Sequence, residues 1–251
     1  MRRIIDNVAG VRPTRSRMQL HASQYGCVCP VESPSGRKVG LNKGLAIISH
    51  ITFGCKTQPI LQFVINEGAE LIDDLMPLEI QQLCKIFING NWIGCHRNPL
   101  YLYNICLLYR RNGLINVFIS ITWERATNEI IIFTDGGRFV RPLYIVENNN
   151  ILLQPKHIKD INAKVLTFTD LVSGFAKRTS EYNYYNDELE HISSIGIHKK
   201  DNLYIESMRN TQAIIEYVDC QEFDTCMLSI GFNISPTNLQ KFTHVELHPP
   251  W

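Results

Sequence analysis

The stretch KIFINGNWIG, residues 85–94, constrains the fold more tightly than any other part of the chain. Residues 85–88 and 91–94 have strand length and apolar character, and Asn89-Gly90 between them supplies the positive φ angles of a type I′ turn. A hairpin is predicted there. Just beyond it, Asn98 can cap a helix that has Pro99 at its first position, where the missing N–H does no harm. Leu100, Tyr103, Leu107 and Arg110 follow at helical spacing, with Leu102, Ile105 and Leu108 on an adjoining stripe. Arg110 and Arg111 suit the negative end of that helix, and Gly113 ends it. Residues 115–122 and 129–133 alternate as strands, joined by a polar connection over 123–128, and so read as a second hairpin. Asp135-Gly136-Gly137 then turns the chain into a strand over 138–146. Hairpin, helix and further strands make α+β grammar.

The flanks are less regular. Residues 1–54 are punctuated by Gly and Pro and begin basic, with Arg2, Arg3, Arg12, Arg15 and Arg17 against Asp6 alone. Their apolar tail, 44–48, reads as a buried strand or short helix. Beyond the polar run Asn148-Asn149-Asn150, short elements are expected over 163–175 and 203–208, with a charged, Tyr/Asn-rich exposed insertion over 177–201. Residues 214–218 and 226–230 bracket an acidic turn over 219–224 and read as another hairpin. No repeat of solenoid period is present.

Composition narrows the class of partner rather than the fold. At 251 residues, 45% hydrophobic and 20% charged, the chain matches an ordinary globular protein with room for a sizeable core. A net charge of +1 points to no partner through its overall field, so any affinity for an anion must be local. No apolar run reaches the roughly 20 residues of a membrane helix. Asp6, Asn7 and Arg12 interrupt what could be a signal peptide, so an intracellular protein is expected. The 8 cysteines contain no C-x-x-C pair, several lie in apolar segments, and they read as buried free thiols.

The densest chemistry lies in residues 21–50. Cys27 or Cys29 with His21 could form a nucleophile and base, but that needs a thiolate in an electropositive site and a third group orienting the imidazole. Residues 36–44 carry glycines and cations, but Gly44 follows Lys43 where a P-loop requires Ser or Thr. A basic loop against a nucleic-acid backbone, or a merely solvated one, remains. His244, Glu246 and His248 would project from one face of a strand, as a three-ligand metal site does, and equally as a plain pairing strand would. Glu188, Glu190 and Glu222 lie in polar stretches, where solvated carboxylates rather than acid/base catalysts are expected. The residues by themselves describe a multi-domain protein with a basic N-terminal loop and no autonomous active site.

A resemblance sharpens this. Residues 21–36, HASQYGCVCPVESPSG, continued by Gly40-Leu41-Asn42-Lys43-Gly44-Leu45, resemble the fork signature H-x-x-x-(W/Y)-G-x-x-C-P-x-E-(T/S)-P-E-G-x-x-x-G-L of the second-largest subunits of multisubunit DNA-directed RNA polymerases. Residues 92–99 (WIGCHRNP), Leu107, Arg110-Arg111-Asn112-Gly113, Ile115, residues 134–138 (TDGGR) and 141–146 (RPLYIV) are similar to the family's external 1 domain. Residues 215–219 (IEYVD) resemble external 2, and 242–249 (FTHVELHP) the start of the hybrid-binding domain. The motifs fall in the family's order along nearly the whole chain.

The resemblance implies an α+β multi-domain fragment: a partial fork region over 1–54 and two small α/β external domains over 55–147 and 148–242. The truncated start of a hybrid-binding domain follows over 243–251. It implies a middle piece of the subunit, without the protrusion and lobe before it or the wall and zinc-bearing clamp after it. The piece contributes to the nucleic-acid-facing active centre and is inactive alone. Mg2+ would be held by the largest subunit and none by this chain. Partners would be the largest subunit, the rest of the second-largest subunit, the DNA template and the RNA transcript, in the nucleus or cytoplasm. Contacts with nucleic acid are expected from Arg12, Arg15, Arg17, Ser35, Arg37, Lys38 and Lys43. His21, Gly26, Glu32, Pro34, Gly36 and Gly40 would shape the loop, Glu32 by accepting backbone N–H groups. Ser35 stands where the family usually has Glu, and Arg37 where eukaryotic relatives often have Gln. Those departures suggest a large DNA virus as source, hence a viral factory or virion. The alternative is a truncated remnant or binding module no longer assembled into polymerase.

Overall fold

The computed structural model of the chain describes residues 2–5, 15–148, 150–175, 202–229 and 242–247. Arg12, the stretch 177–201 with Glu188 and Glu190, and His248 lie outside the described residues.

The first elements are short: strand β1 (Arg3–Ile4), helix α1 (Arg15–Met18), a 3-10 turn (Ala22–Gln24), and strands β2 (Lys43–Gly44) and β3 (His50–Ile51). β1 and β2 pair antiparallel, and Val28 bridges Leu45. The stretch 44–48, expected to be buried, is fully so only at Gly44; Leu45, Ala46 and Ile48 are half-buried and Ile47 is 92% exposed. A two-residue ladder offers no second layer to cover it.

Next come α2 (Thr57–Asn66), β4 (Glu70–Leu71), α3 (Pro77–Ile80), β5 (Cys84–Ile88), β6 (Asn91–His96), α4 (Pro99–Arg111), β7 (Ser120–Glu124) and β8 (Glu129–Phe133). The strands form a sheet of order β4-β6-β5-β8-β7, in which only the β5–β8 pair is parallel. Asn89 (φ 50°) and Gly90 (φ 81°) make the expected hairpin turn. Asn98 Oδ1 accepts the Tyr101 N–H (3.1 Å) and caps α4 as expected, and Gly113 (φ 63°) lies just past its end. Cys84, Ile86 and Ile88 alternate into the core. There Ile60, Phe63 and Val64 of α2 and Leu102, Ile105 and Tyr109 of α4 cover the sheet. The stripe through Leu102, Ile105 and Leu108 is the buried one, whereas Leu100 is 53% exposed. The strand expected from residue 115 begins only at Ser120, yet Ile115 and Ile119 still pack into the core from the loop before it.

The rest is organised by one strand, β9 (Phe139–Glu147). It is followed by β10 (Asn150–Ile151), α5 (Pro155–Asn162), α6 (Phe168–Ser173), the helix Asn202–Thr211, β11 (Ile215–Asp219), the one-turn helix Cys220–Phe223, β12 (Leu228–Ser229) and β13 (His244–Glu246). β3, β10, β11 and β13 all pair antiparallel with β9. β11 and β13 both meet Leu143 and Tyr144, so they flank β9 on opposite edges. The hairpin expected across 214–230 does not form. β11 pairs with β9 while β12 pairs in parallel with β13. The acidic turn is instead a helix, because Asp219 Oδ1 accepts the N–H groups of Gln221 (3.1 Å) and Glu222 (2.8 Å) as an N-cap.

Candidate nucleic-acid interface

The basic loop is fixed at its base by backbone. Cys29 N–H donates to Gly44 O (2.9 Å), Ala46 N–H to Cys27 O (3.0 Å) and Leu45 N–H to Arg2 O (3.1 Å). Gly40 (φ 73°) donates its N–H to Ser33 Oγ (2.8 Å). A Cβ on Gly40 would stand 1.9 Å from Arg17 O, so only glycine lets α1, with Arg15 and Arg17, pack against the loop. Between these fixed points Pro34, Ser35, Gly36, Arg37 and Lys38 are exposed, and Lys43 is half-buried at the foot. Glu32 is the sole acidic residue from 15 to 50. Its carboxylate pairs with Arg3 (2.9 Å) rather than with the backbone N–H groups expected of it. Its backbone carbonyl accepts the Gly44 N–H (3.4 Å). With Glu32 engaged by Arg3, the loop presents Arg37 and Lys38 with no acidic neighbour in its own segment. His21 shapes the turn before it: Nδ1 lies 2.8 Å from Ser23 Oγ and accepts the Ser23 N–H.

The turn below the loop is clamped to the central sheet. Gly26 has φ 69°, and a Cβ there would fall 1.9 Å from Arg141 Nη1. Arg141, on β9, lies against the rings of both Tyr25 (5.0 Å) and Phe223 (4.6 Å) and pairs with Glu246 of β13 (2.9 Å). One guanidinium thus joins the loop, two strands and the one-turn helix.

A second set of ion pairs is deeper. Arg111 grips Glu216 at two points, Nε–Oε2 3.0 Å and Nη2–Oε1 2.7 Å. Arg110 reaches Glu216 (3.1 Å) and Glu222 and donates to Ile119 O (2.7 Å). His244 Nε2 stands 2.5 Å from Glu216 Oε1. Arg138 bridges Asp219 (2.9 Å) and Phe118 O (2.7 Å). Burial would push the Glu216 carboxyl up, but Arg111, Arg110 and His244 outweigh it and hold it well below the ordinary carboxylate range. Glu222 is the opposite case. Burial raises its carboxyl to about 7 against the pull of Arg110, with Asp219 adding to the rise. The solvated Glu222 expected from its polar surroundings is therefore a correction, because the one-turn helix folds it inward, to 4% exposure. Its Oε1 accepts the Ile121 N–H (2.5 Å).

The rival chemistries find no constellation. His21 is engaged by Ser23, and its described contacts reach neither Cys27 nor Cys29. His244 and Glu246 share a strand face, but they are bound to Glu216 and Arg141. Among the described residues no group of three or more His, Cys, Asp or Glu is placed to hold a metal ion. Among them, too, no helix is long and apolar enough to cross a membrane. Sequence reasoning gives Arg110 and Arg111 only a place at the end of their helix and Asp219 one in an acidic turn, and it gives Arg138, Arg141 and Glu216 no task. The available signal was charge set inside apolar strands, which buried partners must neutralise.

Two family models match: one described as RNA polymerase Rpb2, domain 3, over residues 6–51, and one described as RNA polymerase Rpb2, domain 4, over 86–147. DNA-directed RNA polymerase II subunit 2 of Arabidopsis thaliana is 31% identical over 239 residues, covering 92% of this chain and 17% of the relative. Subunit RPB2 of Schizosaccharomyces pombe is 31% identical over 251 residues, covering 92% of this chain and 20% of the relative. DNA-directed RNA polymerase subunit 2 of Acanthamoeba polyphaga mimivirus is 29% identical over 245 residues, covering 91% and 20%. The matched segments are those of an RNA polymerase Rpb2-type subunit. The chain belongs to the family of second-largest subunits of DNA-directed RNA polymerases, and it spans about a fifth of the length of the curated relatives it matches.

Proposed function

We propose that the chain supplies the fork and the two adjoining external modules of a second-largest polymerase subunit, and that it serves DNA-directed transcription by holding cations against nucleic acid beside the active centre. The observation that carries this reading is the loop 33–40. It is tied at its foot by Gly40 and by the Glu32–Arg3 pair, and it presents exposed Arg37 and Lys38. A phosphate backbone is the ligand such a loop suits, because guanidinium and ammonium groups displace its counterions and the glycines admit close approach. Ser35 adds a hydroxyl to the same tip, Lys43 a charge at its foot, and Arg15 and Arg17 stand on α1, whose Arg17 carbonyl packs against Gly40. Arg12 belongs to the same proposed set.

The proposed modules are 1–54, 55–147 and 148–242, with 243–251 leading into the hybrid-binding fold. The chain's own residues position the template and transcript. The largest subunit would hold the Mg2+ that supports nucleotidyl transfer. The test is to tag the chain in its native host and purify it. Co-purification of the largest subunit is expected, and Arg37→Ala in that polymerase should slow elongation. If the tag brings down no largest subunit, the chain reads as a binding module outside polymerase.

A further inference from the structure

We propose that Cys27 and Cys220 form a redox-responsive thiol pair, and that a peroxide joins them in a disulfide locking the loop segment onto the central sheet. Their Sγ atoms stand 4.0 Å apart although 193 positions separate them in sequence. The approach is imposed by the fold around them. Tyr25, two residues before Cys27, stacks on Phe223, three residues after Cys220, at 6.2 Å, and both rings hold Arg141. Closing the sulfurs to the roughly 2 Å of a disulfide therefore asks for an approach of about 2 Å. Cys27 falls at an open position of the fork signature, whose cysteine is Cys29, so the pair is a feature of this chain rather than of the signature.

The two thiols are unequal. The hydrogen bond between them and burial push the Cys27 thiol up. The same hydrogen bond brings Cys220 down to about 7, against burial and the charges of Asp219 and Asp224, with Arg141 assisting. Cys220 is half-buried and Cys27 is buried. Cys220, the more accessible of the two, is the thiol that meets the peroxide, and buried Cys27 is the resolving thiol. The Cys220 thiolate attacks one peroxide oxygen and the O–O bond breaks. The leaving hydroxide takes a proton to become water, and Cys220 becomes a sulfenic acid. The Cys27 sulfur then attacks Cys220 Sγ, and the S–O bond breaks. The departing hydroxide takes the Cys27 proton as a second water. The two thiols lose two electrons and two protons, and the peroxide is reduced to two waters.

The test treats the full reduced chain with hydrogen peroxide, blocks remaining thiols with iodoacetamide, and maps the peptides by mass. A peptide linking Cys27 to Cys220 is expected, two hydrogen masses lighter than its parts and released by dithiothreitol. Cys27→Ser should abolish the link and let Cys220 proceed to sulfinic acid, while Cys29→Ser should leave the link intact. Before oxidation, iodoacetamide at pH 7 should label Cys220 roughly tenfold faster than Cys226. Wild-type chain that shows no link, or that links Cys29 or Cys226 in place of either partner, overturns the proposal.

Discussion

The Arg141 guanidinium occupies the space that a Cβ on Gly26 would need: Nη1 lies 1.9 Å, and Cζ 2.7 Å, from that position. Gly26 also has φ 69°, which L side chains rarely adopt. Gly26→Ala should therefore displace Arg141 from the Tyr25 and Phe223 rings and weaken its pair with buried Glu246. We expect a loss of about 3 kcal/mol, combining backbone strain with a disturbed buried charge. Urea unfolding of the full chain measures it, and a loss below about 1 kcal/mol would show that the turn is not clamped.

Arg110 and Glu216 are 3% and 4% exposed at their side chains, so neither charge has water as an alternative partner. Arg110→Met would leave Glu216 with Arg111 and His244 but would strip buried Glu222 of its guanidinium partner. The expected cost is about 3–5 kcal/mol. The companion Arg110→Met/Glu222→Gln should recover part of it, since Gln removes the charge and keeps an acceptor for the Ile121 N–H. Additive losses in that pair would contradict a direct coupling between Arg110 and Glu222.

Stability should respond to pH with a sign set by Glu222. Its carboxyl is raised from 4.5 to about 7, so within that window the native state keeps a proton that the unfolded chain has lost. Stability contributed by Glu222 is thus present at low pH and lost as pH rises through about 7. Glu216 has the reverse sign. Its contribution is present above the ordinary carboxylate value and lost only as pH falls through its depressed one. The chain should lose up to about 3 kcal/mol between pH 4.5 and 7 relative to Glu222→Gln, which should be flat by comparison. Equal slopes for the two proteins would refute the assignment.

How much of this was legible in the sequence follows from where the determining contacts lie. Asn89-Gly90 and Asn98-Pro99 act within a few residues, so the hairpin and the capped helix could be read directly. α2 escaped because Lys56 makes no side-chain cap bond and so leaves no start signal. The strand order around β9 depends on partners far apart in the chain. Asp219 was read as part of a hairpin turn, whereas it caps a helix that carries Glu222 inward. At the candidate interface the loop cations stood out by their density. Arg3 as the partner of Glu32 did not, because 29 residues separate them.

The cations themselves are most directly tested by cross-linking. A photoreactive residue placed at Arg37 in a stalled transcribing polymerase containing this chain should label template DNA or transcript. The same residue placed at exposed Met76, in the segment after α2, should label neither. Nucleic-acid labelling from Arg37 that exceeds that from Met76 is the predicted result. Equal labelling, or none from Arg37, would contradict the account.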